Sequence, residues 1–375
     1  MARRAVARIN LAAIERNCAR LCAGLSGDAE LCAVVKADGY GHGATQTARA
    51  ALAAGATRLA VATAEEALGL REAGITAPVL VMGAISGCEL PVAIEARAEL
   101  AAWSERFIEQ VSEAGAGAPV RIHVKLDTGM GRLGTREHAE ALAVAERVAG
   151  SAPGLELAGA MTHFATADDD HEFVAQQLEE FRPFADAVRV IAPGAVVHAA
   201  NSAATIGVPE SHFDMVRCGI AIYGCDPMNI DAERHGLEPA LELTSYLAAV
   251  KLARAGDTVG YGRRYRASRE TWIGTIPIGY ADGVRRLLSN NGDVLVEGRR
   301  YPLVGTVSMD NVTIDLGAPT SAAVGMRATI IGADGAERQS AEELARRVDT
   351  ISYEIVSGIS ARVPRSYHRD GVAAS

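Results

Sequence analysis

The stretch LCAVVKADGYGHG, residues 31–43, decides the first element of the fold. Its apolar half is typical of a buried strand, Lys36 ends that strand, and the glycines behind it favour a tight turn beside a ligand. The chain holds three lysines against thirty-four arginines, so a lysine here indicates a need that arginine cannot meet. A desolvated lysine loses its charge readily and can form a Schiff base with an aldehyde, whereas arginine stays protonated. Lys36 is therefore a candidate nucleophile, although a lysine that only ends an edge strand is the commoner case.

Apolar runs of the same kind recur up to about residue 230 and alternate with helix-like stretches. In chain order the strand candidates are LCAVVKA, RLAVATA, PVLVMGA, ELAAW, PVRIHVKLD, LELAGAMTHF, AVVHAA and FDMVRCGI. Between them, Thr63 and Glu66 form a capping box, and Gly74 suits the position just past that helix. A second helix is expected between Thr135 and Gly150. Eight such units in about 200 residues predict a closed (β/α)8 barrel of the TIM type, with an open doubly wound sheet as the alternative.

The pattern changes after about residue 240, where short alternating strands and tight turns take over. SNNGD at residues 289–293 is typical of a turn, and one helix is predicted after the capping box at residues 340–343. We therefore predict a barrel domain over residues 1–240 and a C-terminal, mainly-β domain over residues 241–375. Residues 1–10 could join the β domain instead.

The composition indicates a globular enzyme that acts on a small molecule. Hydrophobic residues make up 49% of the chain and charged residues 22%, and the net charge of −9 without a basic patch argues against nucleic acid as a partner. No apolar run is long enough to predict a membrane span, and charged residues interrupt the N-terminal segment, which makes it a poor signal peptide. The six cysteines lack metal-binding spacing, so we expect reduced thiols, no metal and a cytoplasmic protein.

In a barrel of this type the active site lies at the carboxyl ends of the strands. The polar residues and the glycine that end or follow the candidate strands are Lys36, Lys125, Asp127, His163, His198, Asn201, Ser202, Arg217 and Gly219. Each of them alone is commonly a loop residue, but as a set they predict one site. The backbone N–H groups of Gly219 and Ile220 could bind a phosphate there, as the last loops of such barrels often do.

Eight motifs, taken in chain order, resemble the landmark motifs of alanine racemases. They are AVVKADGYGHG, KLDTGMGRLG, MTHFATAD, HAANSAA, MVRCGIAIYG, VGYGRRY, IPIGYADG and VGTVSMDNV, and they run from residue 33 to residue 312. Members of that family are homodimers that bind pyridoxal 5'-phosphate, with an N-terminal (β/α) barrel and a C-terminal β domain. The resemblance implies an isomerase that interconverts L-alanine and D-alanine and supplies D-alanine for peptidoglycan.

The resemblance also implies two catalytic residues, Lys36 and Tyr261. Lys36 would hold the cofactor and, once the substrate has displaced it, act as one base, while Tyr261 would reach the site from the partner subunit as the other. Racemisation removes a proton from one face and returns it on the opposite face, so two such groups suit it. A tyrosine is a poor base at neutral pH, and residues matching His163 and Arg217 ease its proton transfer in the family. Arg217 would also face the ring nitrogen of the cofactor as a pure donor, which limits transamination.

Further roles are implied by the same motifs. Lys125 matches a position that is often carbamylated, where the new anion would hold Arg132 in place. Asp168 and Tyr280 match residues of the substrate access route, and Thr306 stands where some relatives carry an arginine, which leaves the selectivity of that route open. The implied cofactor-binding residues are Lys36, Tyr40, His163, Asn201, Ser202, Arg217, Gly219, Ile220 and Tyr353, and the implied substrate-binding residues are Arg132, Met309 and Tyr280.

Three other functions remain open on the sequence. A broad-specificity amino-acid racemase would share the chemistry and differ only in the access route. A non-catalytic pyridoxal phosphate-binding protein would keep Lys36 but need neither Tyr261 nor a β domain. A metal-dependent barrel hydrolase could use a carbamylated Lys125 with His163 and His198, yet the H-x-H pair expected after an early strand is missing from the sequence.

Overall fold

The structure is a computed structural model that describes residues 4–115 and 119–374. The chain divides into two compact units. The barrel unit comprises Glu15–Tyr40 and Ala44–Ile222, and the β unit comprises Met1–Ile14, Gly41–Gly43 and Tyr223–Ser375. The domain ranges expected from the sequence, with their limit at residue 240, stay a prediction, and residues 1–3, 116–118 and 375 within them lie outside the described residues.

The helices and strands are numbered along the chain. The strands are β1 (Val6–Asn10), β2 (Glu30–Val34), β3 (Arg58–Val61), β4 (Val79–Val81), β5 (Glu99–Ala102), β6 (Val120–Lys125), β7 (Leu155–Met161), β8 (Val196–His198), β9 (Met215–Cys218), β10 (Leu241–Tyr246), β11 (Ala249–Ala253), β12 (Thr258–Val259), β13 (Tyr265–Arg266), β14 (Thr271–Ile276), β15 (Asp293–Val296), β16 (Arg299–Pro302), β17 (Val312–Gly317), β18 (Arg327–Asp334), β19 (Glu337–Gln339), β20 (Arg365–Arg369) and β21 (Val372–Ala373). The helices are α1 (Leu11–Ala23), α2 (Ala44–Ala53), α3 (Ala64–Glu72), α4 (Leu90–Glu95), α5 (Glu105–Ala114), α6 (His138–Ala149), α7 (His171–Ile191), α8 (Ser202–Gly207), α9 (Ala341–Arg347) and α10 (Ser352–Ser357). Among the described residues, no helix combines the length and the apolar character needed to cross a membrane.

Within the described residues, eight parallel strands from β2 to β9 close into a barrel. Each strand pairs with the next, and β2 closes the ring on β9, with Leu31 opposite Val216. All eight strand candidates are confirmed, and the closure excludes the open sheet. The strands are nearly continuous apolar runs because parallel strands of this kind are covered on both faces, and Leu59, Leu80 and Leu100 are accordingly fully buried.

Both helices expected in the barrel unit are present. Thr63 Oγ1 accepts the Glu66 N–H at 3.2 Å at the start of α3, and the Glu66 carboxylate accepts the Thr63 N–H in return, so the capping box is confirmed. The second helix, α6, begins at His138, and it buries Val144, Ala145 and Val148 on one face. Such helices cover the outside of the barrel and leave its carboxyl end for a site.

The segment after Lys36 is a left-handed turn. Ala37, Asp38, Gly39 and Tyr40 have φ angles of 51°, 50°, 61° and 52°. Non-glycine residues in this region cost of order 1 kcal/mol each and persist only where the surroundings hold them. Glu66 does so, because its Oε1 accepts the Ala37 N–H at 2.6 Å and its Oε2 accepts the Ala62 N–H at 2.8 Å. The capping residue of α3 thus also fixes the backbone beside Lys36.

The β unit contains a large mixed sheet with the strand order β16-β15-β18-β10-β1-β20-β21, and β19 adds to β18. Its centre includes the first strand of the chain, because β1 pairs antiparallel with β10 and parallel with β20. A second sheet has the order β11-β14-β17, and the residues of β17 alternate between buried and half-buried, as its alternating sequence predicts. The expected helix is α9, where the Ser340 hydroxyl accepts the Glu343 N–H at 3.2 Å. The mainly-β character of this region is confirmed.

Candidate active site

A cavity of about 190 Å³ opens at the carboxyl ends of the barrel strands. Five of the predicted site residues line it, namely Lys36, Lys125, Arg132, His163 and Arg217. Its other walls are largely apolar and are formed by Ala62, Met82, Gly83, Leu133 and Met161. Four of them, Lys36, Lys125, His163 and Arg217, belong to the strand-end set named from the sequence, and Arg132 follows β6 in the loop before α6.

Four of the residues that line this cavity are basic, namely Lys36, Lys125, Arg132 and Arg217. Burial lowers the pKa of Lys36, and the Arg132 guanidinium lowers it further. Burial, then Arg217 and Arg132, lower the pKa of Lys125 to about 8. Both amines therefore lose their proton more readily than a solvated lysine does, which makes them better nucleophiles.

Arg217 lines the cavity, and its guanidinium makes four hydrogen bonds. Its Nη2 donates to the backbone oxygens of Thr162 and Ala199, each at 2.8 Å, and to His163 Nδ1 at 3.2 Å. Its Nη1 donates to His198 Nδ1 at 2.7 Å. Burial and then Arg217 hold the pKa of both histidines well below the usual value, so both rings are neutral acceptors. An arginine anchored on four sides is a rigid donor.

The loop between β6 and α6 carries Arg132, and Asp127 shapes it. The Asp127 carboxylate accepts the Gly129 N–H at 3.2 Å and the Gly131 N–H at 3.0 Å, and Arg136 donates to it at 3.3 Å. Burial opposes ionisation of Asp127, but the backbone N–H groups and Arg136 lower its pKa. Asp127 thus has a structural part in the site, since it curls the loop that brings Arg132 to the cavity.

A cradle of hydroxyl and N–H groups follows β9. Ser202 Oγ accepts the Gly219 N–H at 3.0 Å and the Ala221 N–H at 3.4 Å, and the serine keeps its own hydroxyl proton as a donor. A Cβ at Gly219 would lie 2.4 Å from Tyr40 Oη, so only glycine lets this tyrosine approach the backbone. Burial raises the pKa of Tyr40, so its hydroxyl stays a donor. Such a donor set fits a phosphate dianion without a basic clamp.

Three other predicted residues of the barrel unit have different surroundings. Asn201 caps α8, because its Oδ1 accepts the Ala204 N–H at 3.0 Å. Ile220 is fully buried and begins the 3₁₀ turn Ile220–Tyr223. Asp168 is exposed in the loop between β7 and α7.

The remaining predicted residues belong to the β unit. Tyr261, Met309 and Tyr280 are 74%, 51% and 43% exposed, and Tyr353 is half-buried in α10. Thr306 is 6% exposed and donates through Oγ1 to the backbone oxygen of Tyr261 at 2.8 Å. Thr306 therefore supports the turn that carries Tyr261.

Sequence reasoning missed three polar residues near this site. Glu66 was identified only as a helix cap, although it also holds the backbone after Lys36. His123 and Glu99 lie inside the barrel and are linked by hydrogen bonds to Arg217 through His198. A signal for His123 was present, because it lies two residues before Lys125 on a strand and so shares its face.

The residues of the barrel unit fit pyridoxal 5'-phosphate: a lysine of lowered pKa for an aldehyde, the Ser202 and Tyr40 hydroxyls beside Gly219 for a phosphate, and Arg217 as a donor. This fold and this site define a class, the barrel enzymes in which a buried lysine carries pyridoxal phosphate.

Comparison with known proteins narrows the class. Residues 9–227 match the family model "Alanine racemase, N-terminal domain", and residues 240–367 match "Alanine racemase, C-terminal domain". The alanine racemase of Desulfosudis oleivorans is 42% identical over 373 residues, covering 96% of each chain, and that of Geobacillus stearothermophilus is 42% identical over 370 residues, covering 97% of this chain and 93% of the relative. The chain belongs to the alanine racemase family, whose members are isomerases that depend on pyridoxal 5'-phosphate.

Solved structures of alanine racemases superpose on this chain over nearly its whole length. The alanine racemase of a D-cycloserine-producing Streptomyces lavendulae superposes with a TM-score of 0.92 at 39% identity, covering 98% of both chains. The enzyme of Bacillus anthracis, solved with bound L-Ala-P, gives 0.91 at 39% identity, covering 100% of this chain and 97% of that one. The hydrolase alternative is excluded by this family membership.

Proposed function

We propose that this protein interconverts L-alanine and D-alanine by two-base proton transfer, in which Lys36 and Tyr261 each exchange a proton with the substrate Cα, from opposite faces. The observation that carries the proposal is a lysine of lowered pKa in the cavity at the carboxyl ends of the barrel strands, in a chain that belongs to the alanine racemase family. When bound, pyridoxal phosphate withdraws electrons from the substrate Cα and makes its proton acidic.

The two bases have separate tasks. The Lys36 amine takes the Cα proton from one face, and burial and Arg132 help it by favouring its neutral form. The Tyr261 hydroxyl returns a proton on the opposite face, and in the reverse reaction the two exchange tasks. Thr306 supports this by holding the backbone of Tyr261 through its hydrogen bond of 2.8 Å.

The cofactor would be held by the remaining predicted residues. Lys36 would bind its aldehyde carbon and Arg217 its ring nitrogen, and the arginine, which only donates, would keep that nitrogen unprotonated. His163 accepts from Arg217 and so steadies it. The residues proposed for the phosphate are Tyr40, Ser202, Gly219, Ile220 and Tyr353, with Asn201 supporting the same region as the cap of α8.

Substrate binding is assigned to Arg132 and to the backbone of Met309, which would hold the carboxylate, with Tyr280 and Asp168 on the access route. We further propose that Lys125 is carbamylated. Its pKa of about 8 leaves a neutral amine that attacks carbon dioxide, forming an N–C bond and releasing one proton. The resulting anion would pair with Arg132. Intact-protein mass spectrometry under bicarbonate, against Lys125→Arg, checks this.

A homodimer is the proposed assembly. Three large side chains assigned to the site, those of Tyr261, Met309 and Tyr280, are exposed in the single chain, and a second copy that covers them would remove this apolar surface from water. Tyr261 would then complete the active site of the partner, since it belongs to the C-terminal β domain, proposed as residues 241–375, which would face the partner's barrel. The six cysteines, all within the described residues, are free thiols, which supports a cytoplasmic enzyme, and D-alanine for peptidoglycan is the proposed use of its product.

The deciding experiment is incubation of the pyridoxal phosphate-loaded protein with L-alanine in heavy water. Chiral separation and mass analysis then follow both enantiomers and deuterium at Cα. D-alanine that carries deuterium at Cα supports the proposal. If neither exchange nor D-alanine appears while the cofactor is bound, the alanine assignment falls. Comparable rates on serine, lysine or arginine would instead favour a broad-specificity racemase, for which Thr306 on the access route is the motivating feature.

A further inference from the structure

Arg217 ends a hydrogen-bonded chain that crosses the interior of the barrel. Its Nη1 donates to His198 Nδ1 at 2.7 Å, and His198 Nε2 lies 2.8 Å from His123 Nδ1. His123 Nε2 lies 3.0 Å from Glu99 Oε2. These side chains come from β9, β8, β6 and β5, and none of the four residues is more than 3% exposed. The chain links the cavity at the carboxyl ends of the strands to Glu99, the first residue of β5.

Only one arrangement of protons satisfies this chain, because its two ends are fixed. A guanidinium only donates, so His198 Nδ1 accepts and the His198 proton lies on Nε2. That N–H points at His123 Nδ1, which leaves the His123 proton on Nε2, facing the carboxylate. Burial is the main cause that holds the pKa of both histidines below the usual value, so each ring carries a single proton.

Glu99 is a fixed acceptor. Arg58 donates to its Oε1 at 2.9 Å and Arg121 at 2.7 Å. Burial opposes ionisation of this carboxyl, but the hydrogen bond from His123 and the two guanidinium groups hold its pKa at about 2. A carboxylate in this state cannot donate, so it dictates the orientation of the proton on His123.

The hydrogen-bonded chain from Arg217 to Glu99 connects a buried guanidinium to a carboxylate, which an apolar core could not do. Barrels of this type fill their interior with layers of branched apolar side chains, and replacing buried polar groups by such residues is often neutral for stability. Arg217 carries a buried charge, and within the described residues no carboxylate forms an ion pair with it. The carboxylate connected to it is Glu99, through two imidazole rings.

We propose that His198, His123 and Glu99 are positioning residues that keep Arg217 aimed into the cavity by dictating which nitrogen of each imidazole accepts a hydrogen bond. This inference rests on the proposed role of Arg217 as the donor to the cofactor ring nitrogen. In the other tautomer, the Nδ1–H of His198 would oppose a guanidinium N–H, and Arg217 would lose one of the contacts that orient it. Glu99, which is two hydrogen bonds from His198 and three from Arg217, excludes that tautomer.

The first test is independent of catalysis. In the complete protein with ¹⁵N-labelled histidine, solid-state NMR distinguishes a protonated Nε2 from a protonated Nδ1, and His123→Gln and His198→Gln assign the signals. We expect both histidines as neutral rings with the proton on Nε2, with and without pyridoxal phosphate. A proton on Nδ1 of either ring overturns the proposal, whereas a wild-type protein that fails to racemise alanine overturns only the proposed function.

The second test compares three variants. His123→Leu removes the acceptor for His198 and should lower kcat about tenfold or more while KM changes little, with a larger fraction of turnovers ending in pyruvate. His123→Gln can accept from His198 and donate to Glu99, so it should restore most of kcat. His212→Leu is the matched control, because His212 is also buried and bonded on both nitrogens, to Ser26 and Thr205, but has no link to Arg217.

The outcomes separate positioning from general damage. If His212→Leu loses as much stability as His123→Leu but keeps kcat and the pyruvate fraction of the wild type, the effect of His123 is specific. If folded His123→Leu has the kcat and the pyruvate fraction of the wild type, the proposal is wrong. Should His123→Leu fail to fold, His123→Gln and the NMR tautomers still decide the question, since both are read from folded protein.

Discussion

Replacing Thr306 by valine tests how far the Tyr261 turn depends on a single hydroxyl. Thr306 Oγ1 donates to the backbone oxygen of Tyr261 at 2.8 Å, and the side chain is only 6% exposed. Valine has the same shape and lacks the donor, so packing is retained while the bond is lost. Gly260 and Gly262 flank Tyr261 at φ angles of 73° and 70°, the tyrosine side chain is 74% exposed, and the Arg263 N–H donates to the Gly260 oxygen across the turn at 3.3 Å.

The size of the effect follows from that one bond. A neutral hydrogen bond of this kind contributes about 1 kcal/mol net. Since ~1.4 kcal/mol corresponds to a factor of ten, loss of the bond lowers the population of the held turn by up to about fivefold. If Tyr261 is the second base, kcat/KM falls by the same factor, and it falls equally for both enantiomers because their equilibrium constant is one.

The assay is the initial rate from each enantiomer, with and without deuterium at Cα. The isotope effect should rise for the enantiomer whose proton Tyr261 removes and fall for the other, because the slowed transfer is the first step in one direction and the second step in the other. Thr306→Ser keeps the hydroxyl and should behave as the wild type. Thr313→Val is the matched control, because Thr313 Oγ1 donates to the backbone oxygen of Val304 at 2.5 Å rather than to the Tyr261 turn. Rates for Thr306→Val equal to those of Thr313→Val would refute the reasoning.

Other changes probe the rest of the site. Lys36→Ala should abolish racemisation, because no other residue is assigned to bind the aldehyde carbon, and measurable turnover above the cofactor-only background would contradict that assignment. Tyr261→Ala should impair proton abstraction from one enantiomer far more than from the other in Cα isotope exchange, and equal losses would count against two separate bases. Arg217→Glu supplies a partner that favours a protonated ring nitrogen, so pyruvate formed per racemisation event should rise; an unchanged ratio would remove this role of the arginine. Glu99→Gln should lower the unfolding free energy near neutral pH by ~3 kcal/mol, because the folded-state pKa of about 2 lies below the ordinary 4.5. That contribution is complete above about pH 4.5 and is lost as pH falls towards 2, so urea unfolding at pH 7 and pH 3 should show the two proteins converging, and a constant difference would disprove it.

The barrel could be predicted from sequence because its physical requirement is local. Each buried parallel strand needs an apolar run, and runs such as RLAVATA or PVLVMGA satisfy it without reference to any distant residue. Helix caps are equally local, which is why Thr63 and Glu66 were recognised as a pair. The rule that barrel sites lie at the carboxyl ends of strands then places Lys36, Lys125 and Arg217 around one cavity.

The features that could not be predicted from the sequence depend on contacts between residues that are far apart in the chain. The left-handed turn after Lys36 includes Ala37 and Asp38, which carry no signal for positive φ, and it exists because Glu66 binds its backbone from another loop. The order of hydrogen bonds from Arg217 to Glu99 joins residues that are 118 positions apart, and no spacing rule connects them. The motifs also gave no account of Thr306 beyond its departure from relatives, because its contact with Tyr261 crosses 45 positions.

Because β1 pairs with β10 and β20, it is translated long before the strands that it pairs with. A ribosome adds about 5 to 20 residues per second, so Val6–Asn10 emerges roughly 20 to 70 s before its last neighbour, Arg365–Arg369, has been made. Until its other neighbour, Leu241–Tyr246, has been made, Ala7 and Ile9, which end fully buried, have no strand to pair with. The barrel strands, by contrast, are all translated by residue 218 and can close first. Slow translation or scarce chaperones should therefore harm the yield of this enzyme through an orphaned apolar strand at the start of the nascent chain, and not through the catalytic barrel.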